Sequence, residues 1–172
     1  MSRLAFAAEC LLLGLYVTLA ALPVVTAPAA FAAACHVVYL WRHGSEARFW
    51  SAYVRLLRSS VAAGLVFPLV VAWFVVNLVL PVPGHWIVVA VSCALLGVLA
   101  HTAAVVGVAG TRWVPALRRA LAARPGDILL VTAAVVALGV LAWAVPPLAP
   151  LVGGPLALAA TVPSAVRVDQ AE

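Results

Sequence analysis

The chain has 172 residues, of which 67% are hydrophobic and only 9% charged, with a mean hydropathy of +1.20. A water-soluble domain carries about 25% charged residues, so this composition excludes one and leaves lipid as the solvent. The net charge of +5 does not point to nucleic acid. The basic residues sit at the ends of apolar runs, where they mark topology and meet lipid phosphate.

A spanning helix needs roughly 20 mainly apolar residues, so the chain has room for five or six spans and no separate soluble domain. The predicted fold is all-α: a polytopic transmembrane helical bundle with two interfacial amphipathic helices on its cytoplasmic side. All ten basic residues are arginine, and with the abundance of Ala, Val and Leu this points to a GC-rich bacterial genome.

The first predicted span covers residues 4–22 and stops at Pro23. Arg3, the apolar run 11–22 and Ala27-Pro28-Ala29 imitate a secretory signal and its cleavage site. Glu9 intrudes too early for that, and the expectation is an uncleaved span. A tight turn then leads into a second span, 24–41. From Pro28 to Trp41 is only about 21 Å of helix at 1.5 Å per residue, so this span is expected to be kinked or shallow.

Arg42-His43-Gly44-Ser45-Glu46 breaks the pattern. Ser45 is the predicted N-cap, with Glu46 in the first turn, of a helix over 46–59. At about 100° per residue, Phe49, Trp50, Tyr53, Leu56 and Leu57 share one face, and Arg48, Ser51, Arg55 and Arg58 the other. Aromatics beside arginines suit a helix lying in the headgroup layer.

The third span, 60–80, contains Pro68 and ends near Asn77; the turn Pro81-Val82-Pro83-Gly84 and His85 lead into the fourth, 85–110. A second basic helix, 112–124, aligns Trp113, Leu117 and Leu121 against Arg112 and Arg119. Asp127 is the predicted cap of a fifth span over 128–145. The stretch 147–166, interrupted by Gly153-Gly154, Pro155 and Pro163, is taken as a sixth span, with an interfacial segment as the alternative. With six spans and the N-terminus inside, every arginine falls on one face, as the positive-inside rule requires. The expected location is the cell (inner) membrane, with both termini cytoplasmic; with five spans only Arg167 moves out.

Leu22-Pro23-Val24-Val25-Thr26-Ala27-Pro28-Ala29-Ala30, then a short apolar helix, the basic turn Arg42-His43-Gly44 and an aromatic-basic helix from Phe49-Trp50 to Arg58, resembles the YesL family of bacterial membrane proteins. The resemblance covers residues 21–67; Ala27 stands where the family usually has Gly. It implies a small multi-span protein, often encoded beside carbohydrate uptake genes, and transfers no catalytic residues.

Ionisable groups inside a membrane cost at least about 2.5 kcal/mol and invite a functional question. Glu9 and His36 lie about 8 Å in from the cytoplasmic ends of their spans and His101 about 13 Å in, a candidate intramembrane polar cluster for proton relay or cation binding. His101 also shares a face with Ala90, Ala94, Gly97 and Ala104, a small-residue stripe that packs helices. The preferred reading is that Glu9 snorkels or is neutral and both histidines bond within the bundle. Arg48, Trp50, Arg55, Arg58, Arg112 and Arg119 are the candidate contacts to anionic lipid headgroups or to another membrane protein, such as a transporter subunit. Cys10, Cys35 and Cys93 lie in apolar stretches without metal-ligand spacing and are expected to be free thiols.

No nucleophile elbow, zinc-protease helix, phosphate loop or paired acidic site is present. No enzyme activity, cofactor or metal is expected. The sequence favours an accessory or scaffolding membrane component, which the family resemblance links to carbohydrate uptake, over the alternative of a small proton- or ion-coupled transporter or channel.

Overall fold

A computed structural model describes residues 3–79, 85–145 and 152–169. These form eight α-helices: α1 Arg3–Ala20, α2 Ala27–Arg42, α3 Phe49–Ser59, α4 Val61–Val79, α5 His85–Ala109, α6 Trp113–Leu121, α7 Pro125–Ala144 and α8 Gly153–Asp169. The turn Pro81-Val82-Pro83-Gly84 and residues 146–151 lie outside the described residues.

Helix α2 is the hub, packing against α1, α3, α4, α5 and α8. Its inward residues are small: Ala29, Ala30, Ala32, Ala33, Ala34 and Cys35 are fully buried, with Val37 and Val38. Small residues permit the close van der Waals contact between helices on which such packing rests. A methyl group added at Gly154 of α8 would strike the Cys10 carbonyl of α1, and one at Gly107 of α5 would strike the Ala32 carbonyl of α2. Many leucines and valines face outward instead; Leu65, Leu69, Val79 and Leu129 are each more than half exposed.

Among the described residues two helices, Val24–Arg42 and Trp86–Ala109, are long and apolar enough to cross a membrane, or up to four if each of two bent pairs counts as one span. The second predicted span is lengthened by a 3-10 turn, Val24–Thr26, that runs directly into α2. The bent pairs are α3 with α4, at 87°, and α6 with α7, at 108°. The two basic helices therefore turn sharply away from the apolar helices that follow them.

Several boundaries differ from the sequence expectation. Ser45 and Glu46 do not start α3. Gly44, at φ 73°, ends α2, with the Gly44 N–H bonding the Trp41 carbonyl at 3.1 Å and the Ser45 N–H the Leu40 carbonyl at 2.9 Å. This is the left-handed glycine stop that satisfies carbonyls at a helix end, and it holds Ser45 on α2. Helix α3 begins only at Phe49, with Arg48 extended at the N-cap. Asp127 does not cap α7: Arg124 is the N-cap and Pro125 the first helical residue, so Asp127 sits inside the first turn, where its charge favours the helix dipole. Gly153-Gly154 does not break the last helix but begins it, and α8 continues through Pro163. On α6 the packed face is Ala116 and Ala120, whereas Leu117 and Leu121 are exposed.

Candidate functional site

A cleft of about 1170 Å³ opens between the ends of α1, α2 and α3. Glu9, His36, Trp41, Glu46, Arg48, Ser51 and Arg55 are on its walls. The stop at Gly44 brings the chain back beside α2, and α3 then lies across the opening, which places the 46–55 segment opposite His36.

Helix α3 is held there by aromatic packing. Phe49 stacks on Tyr16 of α1 and on Tyr53, both at 5.9 Å between ring centroids, and Trp50 meets Tyr53 edge-on at 5.8 Å. The Tyr53 hydroxyl donates to the Ala20 carbonyl of α1 at 3.5 Å. At the other end Ser60 accepts from the Trp113 indole N–H at 2.9 Å and donates to the Leu56 carbonyl at 2.8 Å. That hydroxyl ties α6 to the α3–α4 bend. Arg48, Ser51, Arg55 and Arg58 face outward, and Trp50 is 49% exposed.

His36 is the polar centre of the cleft. Its Nε2 lies 2.8 Å from Nη2 of Arg55, and its Nδ1 lies 2.8 Å from the Gly107 carbonyl. A guanidinium has donors only, so Nε2 accepts and Nδ1 carries the proton that it donates to Gly107. The ring is therefore neutral, with one tautomer selected by its two partners. Gly107 is in the last turn of α5, whose final carbonyls have no partner within the helix. Gly110, at φ 62°, returns its N–H to Val106 at 3.0 Å, and His36 takes the next carbonyl. The imidazole thus closes the end of a helix 71 residues away in the chain.

The structure brings together Glu9 and His36 but not His101. His101 is 1% exposed on α5 and takes no part in the cleft lining. It lies six residues from Gly107, about 9 Å along the axis and roughly 240° round it, which explains the separation. Its small-residue stripe is packed only in part: Gly97 meets Thr132 of α7 and Ala104 is buried, while Ala90 and Ala94 are exposed. Among the described residues no group of three His, Cys, Asp or Glu side chains is placed to hold a metal ion. Arg112 and Arg119 are exposed on the N-cap and the outer face of α6, away from this cleft.

Sequence reasoning missed Gly107, the bond between His36 and Arg55, and the place of Glu46 on the cleft wall. A second cavity of about 370 Å³, among Val17, Phe31, Phe67, Leu99, Trp113 and Leu156, is lined by apolar residues throughout and offers no group for chemistry. No protein-family model, curated protein or solved structure matches the chain.

Proposed function

We propose that the chain is an accessory or scaffolding component of the cell membrane, presenting its two basic helices to a partner at the cytoplasmic surface. The observation that carries this reading is the pair of bends. With α3 and α6 turned 87° and 108° from α4 and α7, Arg48, Arg55 and Arg58 at α3 and Arg112, Arg118 and Arg119 at α6 are exposed, and the Trp113–Ser60 bond joins the start of α6 to the end of α3. Helices of this kind, at about right angles to a span, lie in the headgroup layer and meet anionic lipid and acidic protein surfaces.

In this arrangement six segments cross: α1, the Val24–Arg42 run, α4, α5, α7 and α8, with both termini cytoplasmic. All ten arginines then share one side. The sequence resemblance to the YesL family supplies the further expectation of a partner from carbohydrate uptake, such as a transporter subunit.

The rival reading is a small proton- or ion-coupled transporter, and Glu9 and His36 facing one cleft favours it. Against it, both ring nitrogens of His36 are occupied by structural partners, and a second proton on Nε2 would meet the N–H of Arg55. Complementation of a deletion strain separates the two, at matched membrane levels. Arg58→Gln, Arg112→Gln and Arg119→Gln together should abolish the cellular role of a docking protein. Glu9→Gln, His36→Gln and His101→Gln together should leave it largely intact. The reverse order would establish the transporter.

A further inference from the structure

We propose that the cleft between α1, α2 and α3 is a binding site for a zwitterionic phospholipid headgroup bearing a primary ammonium, with Arg48 and Arg55 holding the phosphate and Glu9 and Glu46 the ammonium. The inference rests on the reading of α3 as a headgroup-layer helix. It adds a ligand that simple attraction to anionic lipid does not select.

The charge pattern of the lining carries the argument. Four charged residues, two of each sign, face the same cleft. Among the described residues neither carboxylate pairs with either arginine at hydrogen-bond distance; the bonded partner of Arg55 is His36. A purely anionic ligand would satisfy the arginines and confront both glutamates, and a purely cationic one would do the opposite. A ligand carrying both signs a few atoms apart satisfies all four. Glu9 is half-buried on an apolar helix, the setting in which a charged group most needs a counter-charge.

The polar chemistry narrows the class. A guanidinium presents a planar fork of donors that matches phosphate oxygens. The bond to His36 uses Nη2 of Arg55 and leaves its other donors for a ligand, so His36 serves as a positioning residue for that fork. A primary ammonium has three N–H donors for carboxylate oxygens. A quaternary ammonium has none and is recognised by aromatic cages, whereas Trp41 is the only Phe, Tyr or Trp among the lining residues. Leu40, Trp41, Ala47 and Ala52 supply apolar wall for the glycerol and the first methylenes. Helix α6 is a built-in contrast, because Arg112, Arg118 and Arg119 carry no carboxylate among them.

The test is native mass spectrometry of the full chain in detergent, with dioleoyl phosphatidylethanolamine, phosphatidylglycerol or phosphatidylcholine added at equal concentration. Phosphatidylethanolamine should be retained about tenfold better than the other two, the worth of one or two charge-assisted hydrogen bonds. Glu9→Gln should lower its retention towards the phosphatidylcholine level, and Glu9→Gln with Glu46→Gln should bring it there, without weakening phosphatidylglycerol. Arg48→Gln should weaken all three. Because Arg55 also supports His36, Arg48 carries the arginine arm. Equal retention of the three lipids overturns the proposal, and so does a preference for phosphatidylglycerol, which would mean arginine contacts to anions alone. An unchanged preference in Glu9→Gln overturns it too. None of these results bears on the Arg58, Arg112 and Arg119 complementation, so the docking reading stands or falls separately.

Discussion

His36 on α2 and Gly107 on α5 form a single joint: the imidazole Nδ1–H donates to the Gly107 carbonyl at 2.8 Å, and the missing side chain of Gly107 lets the two backbones come close enough for it. A methyl group at Gly107 would overlap the Ala32 carbonyl and lie 3.0 Å from Cβ of Cys35 and 3.1 Å from the His36 nitrogen. Two of these three neighbours are backbone atoms and cannot rotate away.

Gly107→Ala should therefore destabilise the protein by about 1–3 kcal/mol, the usual cost of overpacking. Thermal unfolding in detergent checks it, since about 1 kcal/mol moves the midpoint by roughly 2–4 °C for a chain of this size. An unchanged midpoint would mean that α2 and α5 can separate freely at this point.

His36→Leu should cost about 1–3 kcal/mol, because it strands the Gly107 carbonyl and leaves Arg55 without its acceptor. His36→Gln should cost less, since an amide both donates and accepts. If the two variants melt together, the ring's hydrogen bonds are not what matters there.

How far such sites could be read from the chain depended on how local their causes are. The end of α2 was visible because Arg42-His43-Gly44 is a turn signal in itself, and the basic helices were visible because their periodicity is contained in a dozen residues. The start of α3 was misread because Ser45 and Glu46 fit a helix start and a helix stop equally well, and the Ser45 N–H is spent on Leu40. That His36 bonds within the bundle was legible, but its partner was not, since that partner is 71 positions away and is a backbone atom on a glycine. On α6 the aligned Leu117 and Leu121 stay exposed, and the packing rests on Ala116 and Ala120, which the apolar periodicity does not mark.

Trp50→Glu should impair membrane assembly more than Ser51→Glu. Trp50 is half-exposed beside the Tyr16–Phe49–Tyr53 stack, and Ser51 lies on the arginine side with its hydroxyl donating to the Arg48 carbonyl at 2.8 Å. Membrane-fraction yield and detergent stability are the measurements; equal values for the two would reject the proposed orientation of α3 in the interface.

Thiol labelling should follow packing. Cys93 is half-buried, whereas Cys35 is fully enclosed with its Sγ 3.9 Å from the Ala157 carbonyl of α8. A membrane-permeant maleimide should modify Cys93 first and reach Cys35 only after denaturation. Equal rates in the native protein would contradict the α2–α8 contact.

A reporter fused after Glu172 should be active only when it functions in the cytosol. Activity confined to the outside would remove the six-crossing arrangement and leave five.

The alanine face of α2 also sets which changes this protein can absorb. In a water-soluble core the dangerous exchange swaps grease for charge or leaves a void. Here Ala29, Ala30, Ala32, Ala33 and Ala34 have no accessible surface, and α5 comes close enough for Gly107 to pack on the Ala32 carbonyl. A buried alanine at such a place can shrink to glycine but cannot grow to valine or leucine without pushing a helix aside. The outward leucines and valines can trade places among themselves at little cost. Random mutation of this chain should therefore sort by added volume rather than by lost hydrophobicity, and Ala→Val, conservative by most scales, should be among its most damaging exchanges.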